Sequence, residues 1–345
     1  MKQLRPGLLL LLVVFSLGAC SFVKPRIVQR SFYYWKSNFQ LTQADLAYLK
    51  QQQIGRIYLK FFDVTWSGSP IPAAEVHFRS RPPQHLELVP TIYITNQTLE
   101  QLPAAQVPDL AAKMSQKLRR MIAWNKLGTI HEVQLDCDWN GATRWKYFQL
   151  LKDFRMAFAD PQIKLSATIR LHQIKYRTQT GIPPVDRGML MFYNMTPVNR
   201  FATRNSILDF AEGKAYLDTL SSYPLPLDVA LPVFSWGVIF QDRRFIGIAN
   251  GFRLTDVSGN PDFKADERNY YRVKRNVYLH QTQLYRGDLL RIEESDYRVC
   301  MQAAQTIAAK LQDRSAMAVA LFHFDSDNLR GYGDAQIADL YARFR

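Results

Sequence analysis

Cysteine is scarce in this chain, and the short patterns that announce a cofactor are missing. Three cysteines in 345 residues, Cys20, Cys137 and Cys300, cannot build a disulfide scaffold. No run has the His/Cys spacing of a zinc site, none matches a P-loop or a dinucleotide fingerprint, and no Gly-x-Ser-x-Gly elbow occurs. No metal, nucleotide or redox cofactor is expected. Acid is also short: 30 Asp and Glu stand against 44 Lys and Arg, a formal charge of +14. The basic residues are scattered and fall in no recognised nucleic-acid motif, so nucleic acid is a poor partner. An anionic membrane surface or plain solvation accounts for them better. The one long apolar run, Leu8 to Leu17, is too short to span a bilayer.

That run follows Lys2 and Arg5 and closes on Leu17-Gly18-Ala19-Cys20. A basic start, a short apolar stretch and small residues before a cysteine resemble a bacterial lipoprotein signal. The resemblance implies cleavage before Cys20, a diacylglyceryl group on its thiol and a third acyl chain on the new amino terminus. Two or more chains anchor stably, at about 0.8 kcal/mol per buried methylene. Residues 1–19 are then the signal, 20–30 a lipidated tether, and 31–345 the folded domain. Cleavage removes only the two charges of Lys2 and Arg5, so the chain stays strongly basic. Ser21 is not the aspartate that retains such proteins at the inner membrane, so in a Gram-negative cell envelope the outer membrane is favoured. Cys137 and Cys300 are expected as free buried thiols, and the chain as a monomer.

Beyond the tether, strand-like runs alternate with helical periodicity. Strands are predicted at Ser31–Trp35, Arg56–Val64, Leu86–Thr95, His131–Trp139, Ile163–Leu171, Gly188–Met195, Asp228–Trp236 and Met317–Asp325. Helices are predicted at Thr42–Gln53, Val107–Lys126, Thr143–Phe158, Ala211–Leu220, Tyr297–Gln312 and Asp334–Phe344. Eight β–α repeats in roughly 300 residues fit an α/β fold, one (β/α)8 TIM barrel. The helices after strands two and five are weakly written. Between Gly237 and Glu294 the alternation gives way to short β-like runs, read as a small α+β insertion after strand seven, on the face where βα loops gather. Its Phe252, Tyr270, Tyr271, Tyr278 and Tyr285 either form a wall for sugar rings or the insertion's own core.

The most informative stretch is Val133-Gln134-Leu135-Asp136-Cys137-Asp138-Trp139-Asn140. Side chains alternate across a strand, so Gln134, Asp136, Asp138 and Asn140 share one face while Leu135, Cys137 and Trp139 take the other. Two carboxylates on one strand face are costly to bury unless paired or protonated, so the face is expected at a solvent-reachable site. The fifth strand offers a matching polar face in Ser166, Thr168, Arg170 and His172. An Asp138–Arg170 contact would keep that carboxylate charged.

In order, the strand ends resemble the chitinases of glycoside hydrolase family 18. That family's fourth strand ends in Asp-x-Asp-x-Glu, where this chain has Asp136-Cys137-Asp138-Trp139-Asn140. Met191-Phe192-Tyr193-Asn194 is similar to the sixth strand's Met-x-Tyr-Asp. Leu231-Pro232-Val233-Phe234-Ser235-Trp236 is similar to the seventh, which opens into an inserted α+β domain. Phe322-His323-Phe324-Asp325-Ser326-Asp327 stands at the eighth, where the family has a Trp and acidic residues. The resemblance covers most of the chain from His131 onward and only faintly the first three strands. It implies a catalytic group of Asp136, Asp138 and Tyr193, with Asp138 orienting the substrate's acetamido group and Tyr193 holding its carbonyl. It turns Phe322 into the barrel and His323 toward the helices. It also exposes a departure, because the family's proton-donating Glu is Asn140, which cannot donate a proton at any useful pH.

Three functions follow as expectations. The first is a membrane-anchored lipoprotein that binds an N-acetylhexosamine-containing glycan, with ligand contacts from Asn140, Arg170, Met191, Asn194, Trp236, Phe322 and Asp325. The second is a glycoside hydrolase whose acid has moved to Asp136, Asp325 or an insertion residue. The third is an envelope scaffold that binds a partner protein. Asp63 and Asp325, at strand ends, are equally readable as loop-forming or helix-capping carboxylates.

Overall fold

The computed structural model describes residues 25–313 and 315–345. Lys2, Arg5, the apolar run and the proposed acylation site Cys20 lie outside the described residues. Eight parallel strands close into a barrel: β1 (Val28–Tyr34), β2 (Arg56–Trp66), β3 (Glu87–Ile94), β4 (Glu132–Asp136), β5 (Lys164–Arg170), β6 (Arg187–Met191), β7 (Leu227–Pro232) and β8 (Met317–Phe322). Each pairs with the next, and β1 pairs with both β8 and β2, which leaves no open edge. This is the TIM barrel with its insertion that the sequence predicts.

Five of the predicted helices are well formed. Gln43–Gln51 starts on a Thr42/Asp45 capping box and Tyr297–Lys310 on Asp296, whose carboxylate accepts from the amides of Arg298 and Val299. Val107–Trp124, Arg144–Phe158 and Asp334–Ala342 complete the set. The connections after β2, β5 and β6 depart from the βα repeat, the one after β5 carrying only the short helices Leu171–Lys175 and Arg177–Thr180. After β2 there is no helix: Pro70–Ala73 turns back antiparallel on Asp63–Trp66, and His77–Phe78 pairs with Asn38–Phe39. Pro70, Pro72, Pro82 and Pro83 in that segment each remove an amide that a helix would need. After β6 the helix expected over Ala211–Leu220 shortens to Phe210–Lys214. The weak formers Asp218, Thr219, Ser221 and Ser222 carry the chain onward as a 3-10 turn.

The insertion forms a five-stranded antiparallel sheet with Ser235–Gln241 and Leu289–Glu294 near its centre. Phe252 and Tyr270 are buried in it, whereas Tyr278 and Tyr285 are 67% and 54% exposed. The aromatic residues thus divide between core and surface, and none of the five lines the cleft described below.

An ion pair buried to zero exposure ties the insertion to the loop after β6. Arg291 Nε donates to Glu293 Oε1 at 2.6 Å. The same guanidinium donates to the carbonyls of Val198 and Arg200 at 2.8 and 2.7 Å and to Tyr270 Oη at 3.0 Å. Glu293 Oε2 in turn accepts from the Ser206 amide at 2.8 Å and from Trp236 Nε1 at 2.9 Å. Every donor and acceptor of the pair finds a partner, the condition under which buried charges are tolerated.

Candidate functional site

The barrel interior is a stack of polar layers. At the bottom, Arg56 bridges Glu87 and Glu132 at 2.9 and 3.1 Å. One layer up, Tyr33 Oη donates to Gln134 at 2.6 Å and Gln134 Nε2 donates to Ser166 at 3.3 Å. At the top, where the βα loops gather, Thr168 Oγ1 donates to Asp136 Oδ1 at 2.6 Å and Arg170 Nε meets Asp138 Oδ1 at 3.0 Å. The Arg170 guanidinium also lies 5.7 Å from the centre of the Tyr193 ring. The structure thus brings Asp136, Asp138, Arg170 and Tyr193 together.

The fourth strand ends three residues earlier than the sequence pattern implies, at Asp136. Side chains replace the ladder beyond it: Thr168 Oγ1 accepts from the Cys137 amide at 3.3 Å, Asn96 Nδ2 donates to the Asp138 carbonyl at 2.5 Å, and Gln173 Nε2 donates to the Trp139 carbonyl at 2.8 Å. The alternation survives in this loop. Trp139 is fully buried, stacked 4.9 Å from Tyr147, with its Nε1 donating to the Thr180 carbonyl at 2.9 Å. Cys137 and Cys300 are both free and buried.

Asn140 is occupied. Its Oδ1 accepts from the amides of Ala142 and Thr143 at 2.9 and 3.2 Å, holding the turn that opens the helix Arg144–Phe158. The carbonyl half of its amide is thus committed to the backbone. Met191 is buried beneath Tyr193, whose hydroxyl donates to its sulfur at 3.3 Å.

Beside this cluster lies a cavity of about 660 Å³ between the ends of β1 and β8, the loops after β6 and β7, and the insertion. Its floor is a run of rings: Trp236 to Phe234 at 5.1 Å, Phe234 to Phe322 at 5.7 Å, and Phe322 to Trp35 at 5.7 Å between centroids. Tyr193 joins the floor to the carboxylate cluster through a 5.0 Å contact with Phe322. Of the residues read from sequence, Asn194, Trp236, Phe322 and Asp325 line this cavity. Trp236 does so from the first strand of the insertion, because β7 ends at Pro232.

One placement overturns the sequence reading. His323, which the resemblance turns toward the helices, lines the cavity beside Phe322. Burial pushes its pKa down to about 4 against the pull of the Asp325 charge, so it is neutral at ordinary pH. Asp325 proves to be a cleft residue and a cap at once, since its Oδ1 accepts from the Asp327 amide at 2.8 Å. Sequence reasoning missed Trp35, Lys36 and Asn96. Trp35 sits one residue after β1, and Lys36 pairs with Asp325 across the cavity rim. No local pattern links positions so far apart in the chain.

The carboxylates differ sharply in environment. Burial first, and the neighbouring Asp138 charge second, push the Asp136 carboxyl up to about 7, with the Thr168 hydroxyl and Arg170 pulling the other way. Burial also raises Asp63, which Lys60 at 3.4 Å only partly offsets. At Asp325 burial acts upward as well, but the hydrogen bond and charge of Lys36 outweigh it and hold the carboxyl below its usual range.

The Asp136 shift has a measurable consequence. The native state keeps this proton up to about pH 7, whereas the unfolded chain releases it near 3.9. Between those values the native state binds more protons, so stability falls as pH rises through the window, and the cost is complete above it. Asp136→Asn, which keeps an acceptor for Thr168 without the charge, is expected to raise the melting temperature near pH 8. Near pH 4 the gain should vanish, and equal shifts in melts at the two pH values would contradict this account.

No protein-family model and no curated protein matches the chain. Among solved structures, it is similar to the spore cortex-lytic enzyme SleL from Bacillus cereus, at 12% identity and TM-score 0.53, over 93% of this chain and 75% of that one. It is similar to a chitinase from Chromobacterium violaceum, at 10% identity and TM-score 0.54, over 91% and 99% of the two chains. A mutant class V chitinase from Nicotiana tobaccum, solved in complex with NAG4, matches at 12% identity and TM-score 0.51, over 91% and 98%. At such identities the likeness establishes the fold, a chitinase-like (β/α)8 barrel.

Proposed function

We propose that this protein is a membrane-anchored lipoprotein that binds an N-acetylhexosamine-containing glycan in the cleft at the C-terminal ends of the barrel strands, with hydrolysis lost. The observation that carries the reading is the aromatic floor Trp236–Phe234–Phe322–Trp35 running up to Tyr193 and the Asp138–Arg170 pair. Sugar rings stack their C–H faces on such rings, and a fixed carboxylate beside them accepts from an amide N–H. By the family resemblance, Asp138 receives the acetamido N–H and Tyr193 donates to its carbonyl. A thioether is a weak acceptor, so the Tyr193 hydroxyl can leave Met191 for a ligand oxygen. The structural neighbour solved with NAG4 supports the ligand class.

Loss of turnover follows from Asn140, which stands where the family has its acid and whose carbonyl holds a turn. Positioned acid catalysis is worth roughly 10²–10⁴ in rate. A second reading, an active glycosidase, is favoured by one observation: Asp136, with its pKa raised to about 7, still holds a proton in part of the molecules at neutral pH. Asp325 suits that role poorly, because Lys36 keeps it ionised.

The deciding experiment presents N-acetylhexosamine polymers and peptidoglycan fragments to the detergent-solubilised full chain and scores binding and product release together. Binding without product is the expected result. Product lost in Asp136→Asn would establish the second reading, and neither binding nor product would leave the scaffold. The anchor is tested separately. Cys20→Ser is expected to move the protein from the membrane to the soluble fraction. Continued need for detergent, in a chain whose mass shows the first 19 residues removed, would contradict lipidation as the anchor.

A further inference from the structure

The end of the barrel opposite the cleft carries a set of features that neither packing nor glycan binding uses. Three of the large apolar side chains that the fold leaves exposed are here. They are Ile27 at 68%, just before β1, Trp124 at 87%, closing the helix Val107–Trp124, and Met156 at 68%, in the last turn of Arg144–Phe158. Both helices end on this side because in a βα barrel helices run against the strands. Arg119 of the first donates to the Ala157 carbonyl of the second at 3.1 Å, which holds the two last turns together. Around them stand the exposed Arg81, Lys126, Lys164 and Arg343, none paired with a carboxylate among the described residues. The exposed acids at this end include Asp160, Asp313, Asp186, which pairs with Arg155 at 3.1 Å, and Asp218, which pairs with Lys310 at 3.7 Å. An indole with charged neighbours is poorly placed for water alone and well placed for a headgroup layer.

Chain geometry points the same way. Arg26 fixes the entry of the chain at this end: its guanidinium donates to the carbonyls of Leu311, Asp313 and Phe344 at 3.1, 2.6 and 3.3 Å. Cys20 precedes Pro25 by five residues, which no conformation can stretch beyond about 17 Å. The strands themselves separate this end from the cleft by roughly 20 Å. A chain tethered at Cys20 therefore brings this end to the bilayer and keeps the cleft away from it.

We infer that the N-terminal end of the barrel is a membrane-docking face, which seats Trp124 in the headgroup layer of an anionic phospholipid bilayer. The orientation rests on the proposed anchor at Cys20; the docking chemistry rests on the exposed indole and the basic residues. The cleft then opens toward the aqueous side, where a polymer such as a cell-wall glycan can reach it.

The full chain is reconstituted in vesicles of phosphatidylcholine with phosphatidylglycerol, and of phosphatidylcholine alone. Environment-sensitive thiol probes are placed by Trp124→Cys and, on the insertion, by Tyr278→Cys. Cys137 and Cys300 are fully buried and stay unlabelled. In anionic vesicles the probe at position 124 is expected to be quenched by lipid-borne nitroxide and protected from aqueous iodide, and the probe at 278 the reverse. Equal exposure of both to iodide would overturn the docking face. The mass of the chain reports acylation independently. If Cys20 is not acylated, the anchor reading fails, and vesicle sedimentation of that chain decides the docking face. Binding to anionic vesicles that drops roughly thirtyfold in Arg81→Gln/Lys126→Gln sustains it. Binding indifferent to lipid charge and to Trp124→Ala, or no binding, overturns it.

Discussion

Glu293→Ala is expected to destabilise the protein by about 3–5 kcal/mol, because it leaves the fully buried Arg291 guanidinium without its counter-charge. Four groups lose a partner at once: Arg291 Nε, the Ser206 amide and hydroxyl, and Trp236 Nε1. The effect reaches the cleft because Trp236 is held there by that hydrogen bond. Thermal or denaturant unfolding should show the loss, and glycan binding should weaken even under conditions where the variant remains folded. Glu293→Gln is expected to fall between, since its Oε1 position can still accept from Arg291 while its NH2 opposes the donors of Ser206 and Trp236. A Glu293→Ala protein within about 1 kcal/mol of wild type would contradict this account, because removing one partner alone leaves the buried Arg291 charge uncompensated whatever the pair as a whole contributes.

Asp138→Ala is expected to weaken binding of an N-acetylated oligosaccharide by roughly 1–3 kcal/mol, the range for a lost hydrogen bond to a charged group. The Asp138 side chain is 43% exposed, so the fold should tolerate its removal. Its partner Arg170 keeps the Tyr193 ring and the nearby Asp136 carboxyl, which ionises more readily once the Asp138 charge is gone. Titration calorimetry with the sugar, beside a thermal melt, separates the two effects: affinity should fall while melting barely moves. Unchanged affinity would remove Asp138 from the binding site and with it the argument from the strand-four motif.

Much of this was readable in one dimension. The eight strands, the five long helices and the insertion are local facts of periodicity, capping and composition, and each is set by residues close together in the chain. The polar face Gln134–Asp136–Asp138 and its neighbour Ser166–Thr168–Arg170 were legible for the same reason, since a period of two is a property of the backbone. Prolines also explain the missing helix after β2, although periodicity alone gave no hairpin there.

Closure of the barrel decided the rest. Lys36 meets Asp325 and Trp35 meets Phe322 only because β1 pairs with β8. His323 enters the cavity although the family resemblance turns it toward the helices, and Trp236 belongs to the insertion although its run reads as continuous with β7. Asn140 showed its chemical poverty in the sequence but its commitment to the Ala142 and Thr143 amides only in three dimensions. Residue type and spacing fix which groups are available and which face of an element they occupy. Which of them are buried, paired or open to a ligand depends on contacts with other segments of the chain, and those that join β1 to β8 exist only once the sheet has closed on itself.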